Sequence, residues 1–319
     1  GLAWPAAGLA ALLARASWPL ALLLLEPHEL AAADEAGGRR AVLKASDPRA
    51  KRLLRGRRPV AEEQTLPCGV LGGGVDPASK LRWLWDAEPA ARRGGADPAE
   101  ASEAPRPSRG RGRRRKRRPR GLEVTLGEER PCELPAPRVD LLLALPRPKQ
   151  LARTLPLLAQ LGLGTLVVCG ASKVDAGYFD SSTLEPETLR KHLAEGLACA
   201  GDTAMPRVAV ARELGPLLAE GGELDRLVPR GEAARLAAHP GGANGSTELH
   251  EVPRPPAGGG GRVLLAVGPE AGWEEPGELE MLEEAGFRCV TAGPRVLRSD
   301  VAACALVALA GELLLDWAE

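Results

Sequence analysis

The sequence predicts an α/β protein, with a parallel sheet interleaved with helices over residues 139–319 and a smaller β-rich domain within residues 20–138. Three observations carry this. Apolar runs of strand length recur after residue 139, as strands covered on both faces require. The segments between them place leucines at helical spacing, and strand alternating with helix argues for a parallel sheet. Upstream, short strand-like pieces are separated by glycines. A chain of 319 residues is long enough for two domains at roughly 100–200 residues each.

Residues 1–19 are rich in Ala and Leu, lack acids, and read as a low-complexity extension or the remnant of a targeting segment. LALLLLEPHEL then has strand character and ends at a turn. Asp47-Pro48 supplies an N-cap and a first helical position for a short helix through Leu54. LPCGVLGGGV and KLRWLW continue the small domain to about residue 90, and residues 91–120 read as an insert without fixed structure, rich in Pro, Gly and Arg. VDLLLAL (139–145) is a strand. Residues 149–161 form a helix through Leu151, Leu155, Leu158 and Leu161, TLVVCG (165–170) a strand, and 186–200 a helix through Leu189, Leu193 and Leu197. Further strands fall at 207–211, 234–238, 263–267 and 287–291. The last helix, about 300–317, is apolar nearly all round between Val301 and Leu315, with Glu312 the one charge there. Such a helix needs cover on most sides, which predicts a homodimer.

Composition narrows the function. The formal net charge is zero, from 42 basic and 42 acidic residues. Residues 105–120 hold ten of the basic residues and no acid, leaving 32 basic against 42 acidic elsewhere. A basic tract on an acidic body suits nucleic acid, and equally a solvated insert. No apolar run reaches the roughly 18–20 residues of a membrane span. The six cysteines form no CxxC pair and read as free, buried thiols of a reducing compartment. The four histidines lack ligand spacing, so no metal is expected.

Two loops stand where ligands gather, at the carboxyl ends of strands in an open α/β sheet. One is Gly268-Pro269-Glu270-Ala271-Gly272 after strand 263–267, the other Gly293 to Arg298 after strand 287–291. The sequence has no GxxxxGK[ST], GxGxxG or GxSxG, which removes the usual supports for nucleotide hydrolysis, dinucleotide redox and serine-hydrolase chemistry.

GPEAGW and GPRVLRSDVA resemble the paired GPEGG(W/F) and GPR(I/V)LR(T/V)ETA motifs of RsmE-type 16S rRNA (uracil-N3) methyltransferases, of the SPOUT superfamily. LLLLEPHEL, CGVLGGG, LLLALPRPKQLARTL, SKVDAGYFDSSTLEPETLRKHLAEGLACAGDTAMPRV and RLAAHPGG resemble the same family in order, so the likeness covers most of the chain. It implies a PUA-like β-barrel for RNA docking, then a SPOUT domain with a trefoil knot, which periodicity alone would not reveal. It also implies S-adenosylmethionine held mainly by backbone groups of three loops. Those loops map onto Leu236 to Pro240, including His239; onto Gly268, Pro269, Glu270 and Gly272; and onto Gly293, Arg295, Val296, Leu297 and Arg298, with Leu297 beside the adenine.

The implied reaction is methyl transfer to N3 of a uridine in small-subunit ribosomal RNA, with an unpaired or extruded base. Arg298 would steady charge developing on the uracil oxygens, with a structural ion pair as its alternative role. Glu270 or Asp300 would accept the N3 proton or orient the base, against the alternatives of an exposed acid and of a charge favouring the terminal helix, with Ser299 as N-cap. The chain departs from the pattern at Ala271, at Ser299-Asp300-Val301 and in the insert. Two other readings are a ribose 2′-O-methyltransferase of the same superfamily and a ribosomal-RNA-binding homologue without catalysis. The expected compartment is the cytoplasm, or a plastid or mitochondrion if residues 1–19 are a targeting remnant.

Overall fold

A computed structural model of the chain describes residues 22–32, 38–54, 63–85, 119–132, 134–240, 247–252 and 261–314. The amino-terminal extension and most of the insert, residues 91–118, lie outside the described residues.

Among the described residues two compact units emerge, one within residues 27–68 and 76–129, the other within residues 22–26, 69–75 and 130–314. The expected boundary at 138/139 therefore moves to 129/130, and the first strand joins the larger unit. The reason is packing. Leu22 and Leu24 are buried in the same core as Leu141 and Leu193, and the Leu22 N–H donates to the carbonyl of Ala198 at 2.8 Å. The turn at 69–75 is held alike, with the Gly72 N–H on the Thr203 carbonyl and the Thr203 hydroxyl on the Gly73 carbonyl, both at 2.8 Å.

A curled, half-barrel sheet comprises β1 (Leu23–Leu25), β2 (Arg39–Lys44), β3 (Glu63–Val70), β4 (Val75–Trp85) and β5 (Pro119–Leu126), in the order β1-β3-β4-β5-β2, with β2, β5 and most of β3 and β4 in the smaller unit. β2 and β5 pair antiparallel from Arg39↔Leu126 to Lys44↔Gly121. Alternation decides the faces: Ala41, Leu43, Leu122, Val124 and Leu126 are buried, whereas Arg40, Val42 and Lys44 are exposed. β5 begins at Pro119, inside the segment expected to lack structure, because GLEVTL alternates well enough to complete the sheet. Helix α1 (Pro48–Leu54) starts as expected, the Asp47 carboxylate capping the Arg49 N–H at 2.8 Å.

The larger unit holds seven strands in the order β10-β12-β9-β11-β6-β7-β8, all paired parallel. They are β6 (Val139–Ala144), β7 (Leu163–Cys169), β8 (Arg207–Ala211), β9 (Ala233–Ala238), β10 (Thr247–Glu248), β11 (Arg262–Val267) and β12 (Arg288–Thr291). The chain leaves β9 for the sheet edge at β10, returns to β11, then inserts β12 on the other side of β9. This doubling back is the path expected of the trefoil. β6 is buried along its whole length, and the sheet has a core on each face. Helices α2 (Pro148–Gln160), α3 (Pro186–Ala200) and α7 (Ser299–Leu314) contribute to one core. Helices α4 (Leu214–Leu218), α5 (Glu223–Leu227) and α6 (Gly277–Glu284) contribute to the other. The buried Asp140 on β6 is matched by Arg262 on β11 in a two-pronged ion pair at 2.5 and 2.8 Å.

Helix α7 keeps an outward apolar face, and two expectations change. Helix α7 buries one face against its own chain, through Ala303, Leu306, Val307, Ala310 and Leu314, while Val301 and Leu309 point outward, each 46% exposed. It is thus covered on one side only, because β11, β6 and α2 already supply that side. Ser299 is the first helical residue rather than the cap; its hydroxyl has no partner, and the Arg298 carbonyl accepts from Ala302. Of the cysteines, Cys68 and Cys169 are buried, Cys132, Cys289 and Cys304 are half-buried, and Cys199 is exposed. Burial pushes the Cys68 thiol up to about 12.

Candidate active site

Three strand ends meet where β9, β11 and β12 lie side by side, because the parallel register brings Ala238 opposite both Val267 and Val290. The chain turns into a loop after each strand, and the loops enclose a cavity of about 250 Å³. Ala238, His239 and Pro240 line it from the first loop, Gly268 to Trp273 from the second, and Thr291, Ala292 and Arg295 to Leu297 from the third. Ser299, Ala302 and Leu306 of α7 close it.

The glycine at the start of the second loop permits the approach. A methyl on Gly268 would sit 3.2 Å from the ring of Trp273, which is 2% exposed, so ring and backbone are already in contact. Gly272 has φ +74°, the left-handed conformation a side chain resists. Ala271 therefore takes the position where an added methyl is tolerated, while the glycine is retained at the strained one.

The second loop is also fixed from behind. The buried carboxylate of Glu278, on α6, accepts from the Ser172 N–H at 2.7 Å and from the Glu274 N–H at 2.8 Å. The ammonium of Lys173 donates to the carbonyls of Ala271 and Trp273 at 3.2 and 3.0 Å. Burial and then the neighbouring Glu278 charge push the Cys169 thiol far above its ordinary range, so Cys169 stays protonated.

Polar groups gather at the cavity with capacity unspent. His239 Nδ1, Trp273 Nε1 and Ser299 Oγ are buried and lack hydrogen-bond partners, although such atoms are usually satisfied. The other ring nitrogen of His239 lies 3.2 Å from a Glu275 carboxylate oxygen. Glu270 lies 3.7 Å from the Arg147 guanidinium, at the start of α2, and remains partly exposed. Arg298 is 74% exposed and holds Asp300 at 2.6 and 3.1 Å; Asp300 also accepts from the Val301 N–H at 2.9 Å. Among the described residues no group of three or more His, Cys, Asp or Glu side chains could hold a metal ion.

Of the residues singled out from sequence, the structure brings His239, Pro240, Gly268, Pro269, Glu270, Gly272, Arg295, Val296 and Leu297 to one cavity. Gly293, Arg298 and Asp300 flank it without lining it. Leu236 lies within β9, opposite Leu265 and Arg288, with its side chain in the core. Sequence reasoning missed Lys173, Glu278, Arg147 and the lining role of α7. Trp273 carried a signal in a chain only 3% aromatic, as the last residue of GPEAGW.

Comparison with known proteins agrees with this geometry. Residues 132–311 match the family described as RNA methyltransferase domain, over more than half of the chain. Ribosomal RNA small subunit methyltransferase E of Treponema pallidum (strain Nichols) is 29% identical over 171 residues, spanning 54% of this chain and about 60% of that protein's length. The crystal structure of a ribosomal RNA small subunit methyltransferase E from Neisseria gonorrhoeae bound to S-adenosyl methionine superposes with TM-score 0.61 at 17% identity, covering 94% of this chain and 100% of the other. A protein from Legionella pneumophila, solved in complex with the bound cofactor SAM, gives TM-score 0.57 at 15% identity, covering 91% of this chain and 97% of the other. The fold is that of these solved structures, and the chain belongs to the RNA methyltransferase domain family.

Proposed function

We propose that this chain methylates N3 of a uridine in small-subunit ribosomal RNA, using S-adenosylmethionine and acting as a homodimer. The observation that carries the proposal is the three-loop cavity, in which backbone, a buried tryptophan and three unpartnered polar atoms converge.

The residues present fit S-adenosylmethionine. Gly268 lets the backbone come close, Ala302 and Leu306 offer an apolar wall, and the unspent groups of His239, Trp273 and Ser299 suit a ligand with amine, hydroxyl and carboxylate functions. When bound, that cofactor supplies an electrophilic methyl group on a sulfonium. Loops 238–240, 268–273 and 291–297 would hold it. Glu270, partly open and beside the cavity, is better placed than Asp300 to accept the proton leaving N3, because Asp300 is already committed to Arg298 and Val301. Arg147 would orient Glu270. Arg298, released from Asp300 onto the RNA, would balance charge on the uracil oxygens.

Incubation with unmethylated small ribosomal subunits and isotopically labelled S-adenosylmethionine, followed by mass spectrometry of nucleosides, tests the reaction. 3-Methyluridine is expected; a ribose-methylated product or no transfer would overturn the assignment. The dimer would form on the outward side of α7. Replacement of Leu309 by Arg should then halve the mass seen by light scattering, whereas a wild-type monomer would remove this part of the proposal.

A further inference from the structure

The loop after β7 grips the loop after β11. Ser172 and Lys173 come from the first; Ala271, Trp273 and Glu274 belong to the second and its approach to α6. Two hydrogen bonds from Lys173 join them directly, and Glu278 of α6 bridges them through two more. The buried Glu278 carboxylate takes one backbone N–H from each side, so it spans the junction rather than capping a single element. The exposed Lys173 adds its ammonium to two carbonyls that flank Gly272, the residue at φ +74°. These bonds therefore hold the loop at a glycine, the residue at which the backbone is otherwise most free to adopt another shape.

The gripping loop is itself anchored. The Gly170 N–H donates to the Ala211 carbonyl of β8 at 3.0 Å, and its α-carbon lies so close to the Arg212 carbonyl that no side chain would fit. Farther along, the Arg212 guanidinium lies 5.1 Å from the centre of the Phe179 ring and 3.0 Å from Asp180. Contacts thus run from the sheet edge at β8 to Trp273 at the cavity wall.

We infer that Lys173 and Glu278 are positioning residues, which set the shape of loop 268–274 and through it the affinity for S-adenosylmethionine. The affinity statement rests on the cofactor reading above; the clamp itself does not. Neither side chain lines the cavity, so neither is a catalytic residue. Their effect is preorganisation: a loop fixed before binding loses less freedom when the ligand arrives.

The test uses the full chain and three variants. Lys173→Met keeps the aliphatic stem and removes the donors, Lys173→Arg restores a cation and donors, and Glu278→Gln keeps one acceptor. Hydrogen–deuterium exchange of the ligand-free protein should show the amides of residues 270–274 exchanging about tenfold faster in Lys173→Met, with other peptides and the melting temperature nearly unchanged. Calorimetry should show S-adenosylmethionine and S-adenosylhomocysteine bound about tenfold more weakly, largely recovered in Lys173→Arg. Glu278→Gln should weaken both further, provided that its melting curve shows a folded protein. Unchanged exchange in Lys173→Met overturns the clamp whether or not any ligand binds. Faster exchange with unchanged affinity overturns the link to the cofactor. Failure of the wild-type protein to bind either compound overturns the cofactor reading and the affinity statement together, leaving the clamp to be judged by exchange alone.

Discussion

The loops after β11 and β12 face the same cavity, yet they are secured differently. The first is tied by Lys173 and by Glu278 to Ser172, about a hundred residues away in sequence. The second is held by near neighbours: the Thr291 hydroxyl on the Gly293 carbonyl at 3.0 Å, and Arg298 on Asp300. Its Val296 side chain is 81% exposed. A loop braced from outside presents fixed backbone, which suits a ligand of constant shape. A loop braced only by itself exposes side chains that a large, irregular partner can recruit. Under the proposed function, the contrast would divide the site into a preorganised cofactor wall and an adaptable RNA-facing lip.

The largest effect should come from disturbing the braced wall. Gly268→Val pushes two methyl groups toward a ring already 3.2 Å from the first added carbon. Binding of S-adenosylmethionine should fall by about a hundredfold or more, because the packed Trp273 has little room to yield. Calorimetric titration measures this, and a loss under about threefold would show that the wall is not preorganised.

A smaller effect, of a different kind, belongs to the lip. Arg298→Ala removes an exposed ion pair worth at most about 1 kcal/mol, so the melting temperature should move little. Methyl transfer should nevertheless fall by about a hundredfold, with cofactor affinity nearly intact. Weakened cofactor binding with normal turnover would reverse the proposed division.

The scaffold beneath both loops should respond to acid. Arg235 of β9 meets Asp225 at 2.7 Å, and its guanidinium also donates to the carbonyls of Val228 and Ala285. Burial works against the Asp225 charge, but hydrogen bonds from Arg235, Arg230 and the Gly221 N–H outweigh it and hold the carboxyl below its ordinary range. A carboxyl depressed by folding contributes stability above its unfolded value, near 3.8, and loses it as pH falls through the lower folded value. Melting temperatures should therefore decline below about pH 4, and Asp225→Asn should flatten that decline. The smallest effect is expected at Val296: Val296→Ala should change stability by less than about 0.5 kcal/mol, readable by denaturant titration, because the side chain covers nothing.

How much of this was legible in sequence depends on where each signal resides. β8 and α3 were placed to the residue at 207–211 and 186–200, and β6 to within one, because Val/Leu runs and leucines every three or four residues are local. β2, written RRAVLK, went unrecognised: its alternation is short and half of it is basic. β10, only two residues long, carries no pattern at all. The cavity loops were visible because glycine and proline punctuate them. The partners of those loops were not, since Lys173 and Glu278 look like ordinary charged residues until the fold brings them together. Ser299 shows the opposite failure: a good local rule assigned it to a cap, and the fold turned it to the cavity instead.

The most direct test of the central claim, that the three-loop cavity is a cofactor site, is a structure of the protein crystallised with S-adenosylhomocysteine. The account predicts the ligand between loops 238–240, 268–273 and 291–297, with at least one of His239 Nδ1, Trp273 Nε1 and Ser299 Oγ gaining a hydrogen bond. A ligand bound elsewhere, or a cavity left empty at saturating concentration, would contradict it.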